Sequence, residues 1–230
     1  MGKILIIDSS KPIGRVIIGE GSQTITSKSS MESFAHLRDM PLMVESVLKE
    51  NALAIKDLDA IAINLGPGSY TALRVGMSLT KGLCYGLDIP IIGISNFDIL
   101  LEYIKINELI GVNEQVIGLC MHARADELYI KFYDRKLNLI KEAESYYLNN
   151  GNLSEVFPGQ KILLVGEGIN TFSEVLTPMN ILYKDVTNTI EASVCVSLNS
   201  YNSGVYEDLA YSVPDYFKAP NITKSKKKFF

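Results

Sequence analysis

Residues 60–86 read AIAINLGPGSYTALRVGMSLTKGLCYG, and this stretch decides the fold. Ala60–Leu65 is a short apolar run of the kind that forms a buried strand. Gly66-Pro67-Gly68 breaks it as a tight turn, and Ser69 or Thr71 can cap a helix that follows. The pattern predicts that helix over Tyr70–Tyr85, with Gly86 past its end. Between Tyr70 and Gly86 only Arg74 and Lys81 are charged, seven apart on one narrow stripe. Ala72, Gly76 and Thr80 form a small-residue stripe, and Val75, Leu79 and Leu83 an apolar row that Leu73 and Met77 extend. A surface helix hides one face and wets the other. This one has too little polar face for that, so either its own domain covers both sides or a partner protein covers one.

The glycine turn also reads two ways. Backbone N–H groups at a strand–Gly–helix junction can hold a phosphate, or can make a sharp corner with no ligand. GPGS lacks the Lys of a P-loop and the spacing of GxGxxG.

Working outward, Lys3–Ile7, Ile13–Gly19 and Ser22–Ser27 read as strands, the last two as a hairpin around Gly21. Ser29–Glu50 has helical periodicity through Met31, Phe34, Leu37, Met40, Val44, Val47 and Leu48, with Pro41 expected to kink or split it. After the central stretch come a strand at Pro90–Ile94 and a helix at Ser95–Ile106 capped by Ser95. Residues 107–114 are a candidate boundary. The second half repeats the plan. Strands are predicted at Gln115–Met121, Glu127–Tyr133, Leu137–Ser145 and Lys161–Val165, then a short helix near Thr171–Leu176, a strand at Ile181–Asp185 and a helix at Thr189–Tyr201. Two like-built α/β units with mixed sheets follow from this order: an N-terminal lobe over 1–106, a C-terminal lobe over 107–204, and a segment 205–223 that can pack back on the first.

The chain of 230 residues is 21% charged and 47% hydrophobic, an ordinary globular composition. Its net charge is −4, and four lysines stand at 224, 226, 227 and 228. Without them 18 basic residues face 26 acidic ones, so the body is a poor lone binder of nucleic acid. Residues 224–230 read as a mobile basic tail. No apolar run reaches the length of a membrane span, and Asp8 interrupts the N-terminal apolar run too early for a signal peptide. Cys84, Cys120 and Cys195 lie far apart with no CxxC, which suits reduced core thiols of a cytoplasmic protein. His36 and His122 begin no ligand-spaced pair, and there is no HExxH, GxSxG or Cys/His cluster. No catalytic residue and no metal site is assigned; Asp8, after the first strand, stands where a phosphate or metal site can form or where an Asp merely caps a turn.

GPGSYTALRVGMSLTKGL at 66–83 closely resembles the signature of the bacterial TsaB (YeaZ) family, usually GPGSFTGLRIG followed by a helix ending in KGL or QGL. KILIIDS at 3–9, SFAHLRDMPLMVESVL at 33–48, PIIGISN at 90–96, HARADELY at 122–129, VGEG at 165–168 and PDYFK at 214–218 fit in order, so the resemblance spans essentially the whole chain. Ala72 stands for the usual Gly, His122 for the Asp of DAR, and Lys218 for Arg.

The resemblance implies two lobes of the actin-like/Hsp70-like ATPase (ribonuclease H-like) fold. It implies a role in forming threonylcarbamoyladenosine next to the anticodon of tRNA, as a non-catalytic pseudo-enzyme paralogue that binds the TsaD transferase and helps recruit the ATPase TsaE. The catalytic relatives carry HxxxH where this chain has Asn96 and Leu100, and leucine cannot ligate a metal. In the family the first helix and the GPGS helix meet their counterparts in the partner. That marks Phe34, Leu37, Met40, Met43, Val44, Leu73, Arg74, Met77 and Lys81 as partner-binding, with Leu73 and Met77 the expected exposed anchors and Val75 and Leu79 turned to the chain's own sheet. The same surface can form homodimers when the partner is absent, and tRNA is met only within the complex. No cofactor is assigned, although Asp8, Gly66, Gly68 and Ser69 can hold a nucleotide phosphate, with ATP at the partner interface. The alternatives are a phosphotransferase of this fold using Asp8 and the GPGS turn, and a metallopeptidase-like protein, which the missing HxxxH opposes.

Overall fold

The computed structural model describes residues 2–217, apart from 34, 112–113, 125, 149–152, 178 and 180 and the side chains of 124 and 154. Two five-stranded mixed sheets carry the chain. The first holds β1 (Lys3–Asp8), β2 (Arg15–Glu20), β3 (Gln23–Ser29), β4 (Ala60–Gly66) and β5 (Ile91–Ser95), in the order β3-β2-β1-β4-β5. The second holds β6 (Val116–Arg124), β7 (Glu127–Asp134), β8 (Leu139–Tyr147), β9 (Ile162–Gly166) and β10 (Leu182–Asp185), in the order β10-β9-β6-β7-β8. In each, the first three strands form an antiparallel meander and the last two add parallel to the first strand. Read in chain order the two sheets therefore have one topology, an α/β fold of two like lobes.

Both faces of β1 and β4 are buried, which is why they read as unbroken Ile/Leu/Ala runs rather than alternating ones. On one face of the first sheet, α1 (His36–Glu50) and α2 (Tyr70–Leu87) close a core of Leu5, Ile7, Val16, Ile18, Ile61 and Ile63. On the other face lies α6 (Ile190–Asn202), whose Ala192, Val194 and Leu198 pack on Ile4, Ile6 and Ile17. Chain order assigned this helix to the second lobe, but its apolar residues cover the first sheet. Conversely α3 (Asn96–Ile106) sends Phe97, Leu100 and Ile104 onto the second sheet, against Ile117, Leu119 and Val165. The helices α3 and α6 pack together as a shared middle layer. The outer face of the second sheet is closed by two single-turn helices, α4 (Leu153–Val156) and α5 (Ser173–Leu176).

Four local expectations change. Helix α1 begins at His36 rather than Ser29, because Ser29 still pairs with Arg15 in the hairpin. Pro41 then falls near the helix start, and the helix runs through it unsplit. Helix α2 continues past Gly86 and ends at Asp88, which takes the left-handed cap with φ 54°. Ser69 is the N-cap residue, but its side chain makes no capping bond. By contrast, Ser95 caps α3 as expected: its Oγ accepts from the Asp98 N–H at 3.1 Å.

Candidate functional site

Two features meet at the GPGS stretch: a buried turn cluster between the lobes, and an apolar groove on the outer face.

The turn after β1 and the turn after β4 lie on each other. Asp8 Oδ1 accepts from the Ser10 N–H at 3.0 Å and from the Ser10 hydroxyl at 2.7 Å. The Ser69 N–H donates to the Ser10 carbonyl at 3.3 Å. A Cβ on Gly68 would overlap that same backbone, so glycine is needed there for close approach rather than for conformation. Asn64 and Asn96 tie the turns together. The Asn64 amide donates to Asn96 Oδ1 at 2.9 Å and its Oδ1 accepts from the Gly66 N–H at 2.9 Å. The Asn96 amide donates to Ser10 Oγ at 3.1 Å and to the Pro67 carbonyl at 2.9 Å. Both asparagines are buried, and every one of these bonds stays inside the protein.

The four residues marked for phosphate, Asp8, Gly66, Gly68 and Ser69, are thus brought together. Two of the backbone donors a phosphate would use, on Gly66 and Ser69, already have partners. At positions 96 and 100 the amide serves this network and Leu100 lies in the core with Phe97 and Ile104. Among the described residues no three His, Cys, Asp or Glu side chains converge on one point. Across the cleft, Lys11 pairs with Glu167 of the second lobe, and the His36 Nε2–H donates to the Lys11 carbonyl at 2.8 Å.

The partner-binding set divides. Phe34 lies outside the described residues. Leu37 is 78% exposed. Met40, Met43 and Val44 are core residues under α1. The face of α2 is the reverse of the expectation: Leu73 and Met77 are 1% and 5% exposed and point inward, while Val75 and Leu79 face outward, half-buried. Spacing alone leaves two apolar rows on this helix, and the inner row is set by where β4 hands the chain over. With Gly66 beside Leu73, whose Cδ1 lies 3.1 Å from where a Cβ would sit, the 73/77 row is the one held against the sheet.

The outward row lines a groove along the α1–α2 seam. Near the start of α2 is a cavity of about 500 Å³ between Leu37, Pro41, Tyr70, Arg74, Val75 and Leu79. A second, of about 480 Å³, continues past Pro41 and Leu79 to Leu48, Leu53, Ile55 and Leu83. The two share Pro41 and Leu79, so the groove is continuous. Of its lining, Leu37, Val44 and Arg74 were in the partner-binding set; nothing in the sequence marked Pro41, Leu53 and Ile55 as surface, and the spacing-four row of Val75, Leu79 and Leu83 was legible as apolar but was expected to face the sheet.

Residues 205–217 cross the opposite flank of α2. The Glu207 N–H donates to the Ile91 carbonyl at 2.8 Å, extending the β5 edge, and the Asp215 N–H donates to the Leu65 carbonyl at 2.9 Å. This strap takes both charged residues of α2. Lys81 Nζ donates to the Ala210 carbonyl at 2.9 Å, and Arg74 Nε donates to the Tyr216 hydroxyl at 2.9 Å. Arg74 also stands over the Tyr70 ring at 4.4 Å, and the Tyr216 bond raises its already high pKa. Phe217 then packs on Phe97 of α3 and Tyr129 of β7. Burial, with Asp98 nearby, raises the Asp215 carboxyl above its ordinary range. Burial also pushes the Cys84 thiol up to about 11 and Cys120 higher still, so both stay protonated and unreactive at neutral pH. His122, in place of the Asp of DAR, packs its ring on Phe172; Lys218 and the tail lie outside the described residues.

The family model described as TsaD, tRNA N6-adenosine threonylcarbamoyltransferase, matches residues 29–229. The tRNA threonylcarbamoyladenosine biosynthesis protein TsaB of Bacillus subtilis is 31% identical over 163 residues, which are 70% of this chain and 62% of that protein. TsaB of Haemophilus influenzae is 30% identical over 100 residues, 43% of this chain and 42% of that one, so the match spans about half the length of these relatives. The structure of YeaZ from Pseudomonas aeruginosa superposes with a TM-score of 0.73 at 18% identity, over 94% of this chain and all of that one, and establishes the shared fold. An inorganic polyphosphate/ATP-glucomannokinase from Arthrobacter shares the fold more distantly, with a TM-score of 0.51 at 9% identity over 87% of this chain and 100% of that one. Matched along most of its length and folded as two actin-like lobes, the chain belongs to the TsaD family, as one of its TsaB/YeaZ members.

Proposed function

We propose that this chain is a non-catalytic, cytoplasmic subunit of the machinery that forms threonylcarbamoyladenosine in tRNA, and that it docks a TsaD-type transferase through the α1–α2 groove. The groove carries the reading. It is apolar, preformed and open, and it lies on the helix that bears the family signature. A specific interface buries about 1,600 Å² in total, and a few central side chains dominate it. Leu37, Pro41, Val75 and Leu79 are the central side chains here, in place of Leu73 and Met77. Asn96 and Leu100 support the non-catalytic part, since one is spent on the turn network and the other on the core. The phosphotransferase alternative is weaker because the turn that would hold a phosphate already spends its Gly66 and Ser69 donors internally. Recruitment of a TsaE-type ATPase, contact with tRNA and any ATP at the interface belong to the assembled complex; a homodimer uses the same groove when the transferase is absent.

The test is a binding titration with the cognate transferase. Leu37→Asp and Val75→Asp place a carboxylate in a dry contact and weaken binding by a factor of about 30 or more, on the order of 2 kcal/mol. Their melting curves stay within a few degrees of the parent. Normal binding by both variants would remove the groove from the interface.

A further inference from the structure

We propose that Arg74 is a receptor for a single carboxylate, and that the transferase segment seated in the α1–α2 groove presents an Asp or Glu to it beside its apolar side chains. The choice of partner rests on the functional reading above; the receptor itself rests on how Arg74 is held.

Arg74 is exposed on α2, where it lines the near cavity of the groove. Its guanidinium is already fixed on one edge. Nε donates to the Tyr216 hydroxyl at 2.9 Å, and the cation lies 4.4 Å from the centre of the Tyr70 ring and 5.7 Å from that of Tyr216. The two rings pack on each other at 4.8 Å, so helix and strap hold the side chain jointly. This uses one of its five N–H donors. The two Nη groups make no hydrogen bond or ion pair with any described residue. The ionisable groups that act on the cation are the two tyrosines, with no carboxylate among them. Two unspent Nη donors in one plane match the two oxygens of a carboxylate, and a side chain held beforehand loses little freedom on binding. The surroundings favour a carboxylate on a protein segment over a free phosphate. Among the described residues Arg74 is the only charged one lining the near cavity, whose apolar floor is Leu37, Pro41, Val75 and Leu79. Lys81, the other cation of α2, stands seven residues on, about 10 Å along the helix. Its Nζ is taken up by the Ala210 carbonyl, so the two do not share one anion. A lone fork above an apolar floor suits one carboxylate flanked by apolar side chains, the make-up of an amphipathic helix. Helix α2 has no acidic residue to neutralise it, although the chain as a whole carries −4. It is a positive face on an acidic body, and it draws an acidic segment.

The experiment is a titration of the full chain with the cognate transferase, without nucleotide and again with ATP. Arg74→Gln is expected to weaken binding about 30-fold or more. Its melting curve stays within a few degrees of the parent, because the side chain is exposed. Arg74→Lys keeps the charge but loses the fork, and binds about tenfold more weakly than the parent. Tyr216→Phe keeps the ring and removes the Nε anchor, which makes Tyr216 a positioning residue. Its expected loss is about threefold in the parent and none in the Arg74→Gln background. In the transferase, one Asp or Glu of the docking face, changed to Ala, weakens binding to the parent and leaves binding to Arg74→Gln unchanged. Normal binding by Arg74→Gln overturns the proposal, as does a scan of the transferase's acidic residues in which none couples to Arg74. A loss seen only with ATP present assigns the fork to a phosphate and overturns the carboxylate. If Leu37→Asp and Val75→Asp weaken binding and Arg74→Gln does not, the groove stands as the interface and the receptor falls alone. If none of the three weakens it, both readings fall.

Discussion

The two lobes share one strand order and differ in what covers their outer faces. The first sheet carries α1 and α2, of 15 and 18 residues; the second carries α4 and α5, of four residues each. The short helices suffice because aromatic rings do the covering. Phe132 of β7 stacks edge-on against Phe157 at 5.0 Å and against Tyr146 at 5.5 Å. A sheet of this size can therefore be closed without long helices. The extra length of α1 and α2 is more than the first core needs, and it is along that surplus that the groove opens. Among the described residues, the single-turn helices of the second lobe, four residues each, form no seam of comparable length.

The largest effect that tests this contrast is Leu73→Asp. Leu73 is 1% exposed, beside Gly66 and under the α2 N-terminus. An unpaired carboxylate there costs several kcal/mol, a large share of the roughly 5–15 kcal/mol that holds a domain together. The expected result is a chain that fails to fold or melts far below the parent, while Val75→Asp, two residues on and half-exposed, melts within a few degrees. Equal melting of the two variants would mean α2 has no distinct inner face, and the contrast between core-closing and surplus helix would go with it.

That helix also shows how far the sequence could be read. Strand β4, the turn and α2 were legible because each rests on local chemistry: an apolar run, a Gly-Pro-Gly break, a helical period. The repeat of the sheet plan was legible for the same reason. Which of the two apolar rows of α2 faces inward was not, because Leu73/Met77 and Val75/Leu79 are equally apolar and only tertiary packing separates them. The exchange of α3 and α6 between sheets was hidden too, since chain order says nothing about which face a crossover helix covers. Asn64 could not be marked in advance. A lone Asn at a strand end carries no signal until its partner, Asn96, 32 positions on, is placed beside it.

A smaller effect is expected at that pair. Asn96→Ala removes two donors and an acceptor from a buried network, leaving the Asn64 amide, Ser10 Oγ and the Pro67 carbonyl without it. Stranding buried polar groups costs about 1–3 kcal/mol each at the upper end, with relaxation reducing the sum. A loss of about 2–3 kcal/mol in urea unfolding is expected, with transferase binding at saturating folded protein unchanged, because the network lies on the inner side of the turn and the groove on the outer. A large fall in affinity with little loss of stability would place the turn cluster in the interface instead. It would also reopen the nucleotide reading of Asp8 and the GPGS turn.

The smallest effect runs in the stabilising direction. Gly82 sits inside α2, exposed, with no heavy atom within 4 Å of where a Cβ would stand. Glycine in a helix interior costs about 1 kcal/mol relative to alanine, and among the described residues nothing requires the vacancy. Gly86, one turn on, is the same, and Ser78, one turn back, is also exposed. The three form a smooth strip along the outside of α2, a strip that four-residue helices cannot present. Gly82→Ala is therefore expected to raise the melting temperature of the isolated chain by a few degrees, about 1 kcal/mol in stability. If a partner helix approaches α2 closely over this strip, the added methyl groups hold it off, and transferase affinity falls severalfold even as the monomer gains stability. A variant stabilised in both measurements would leave the strip outside the interface and confine docking to the groove. One destabilised in isolation would show that the α2 surface is covered by the chain itself, and the contrast between the two lobes would have to be drawn elsewhere.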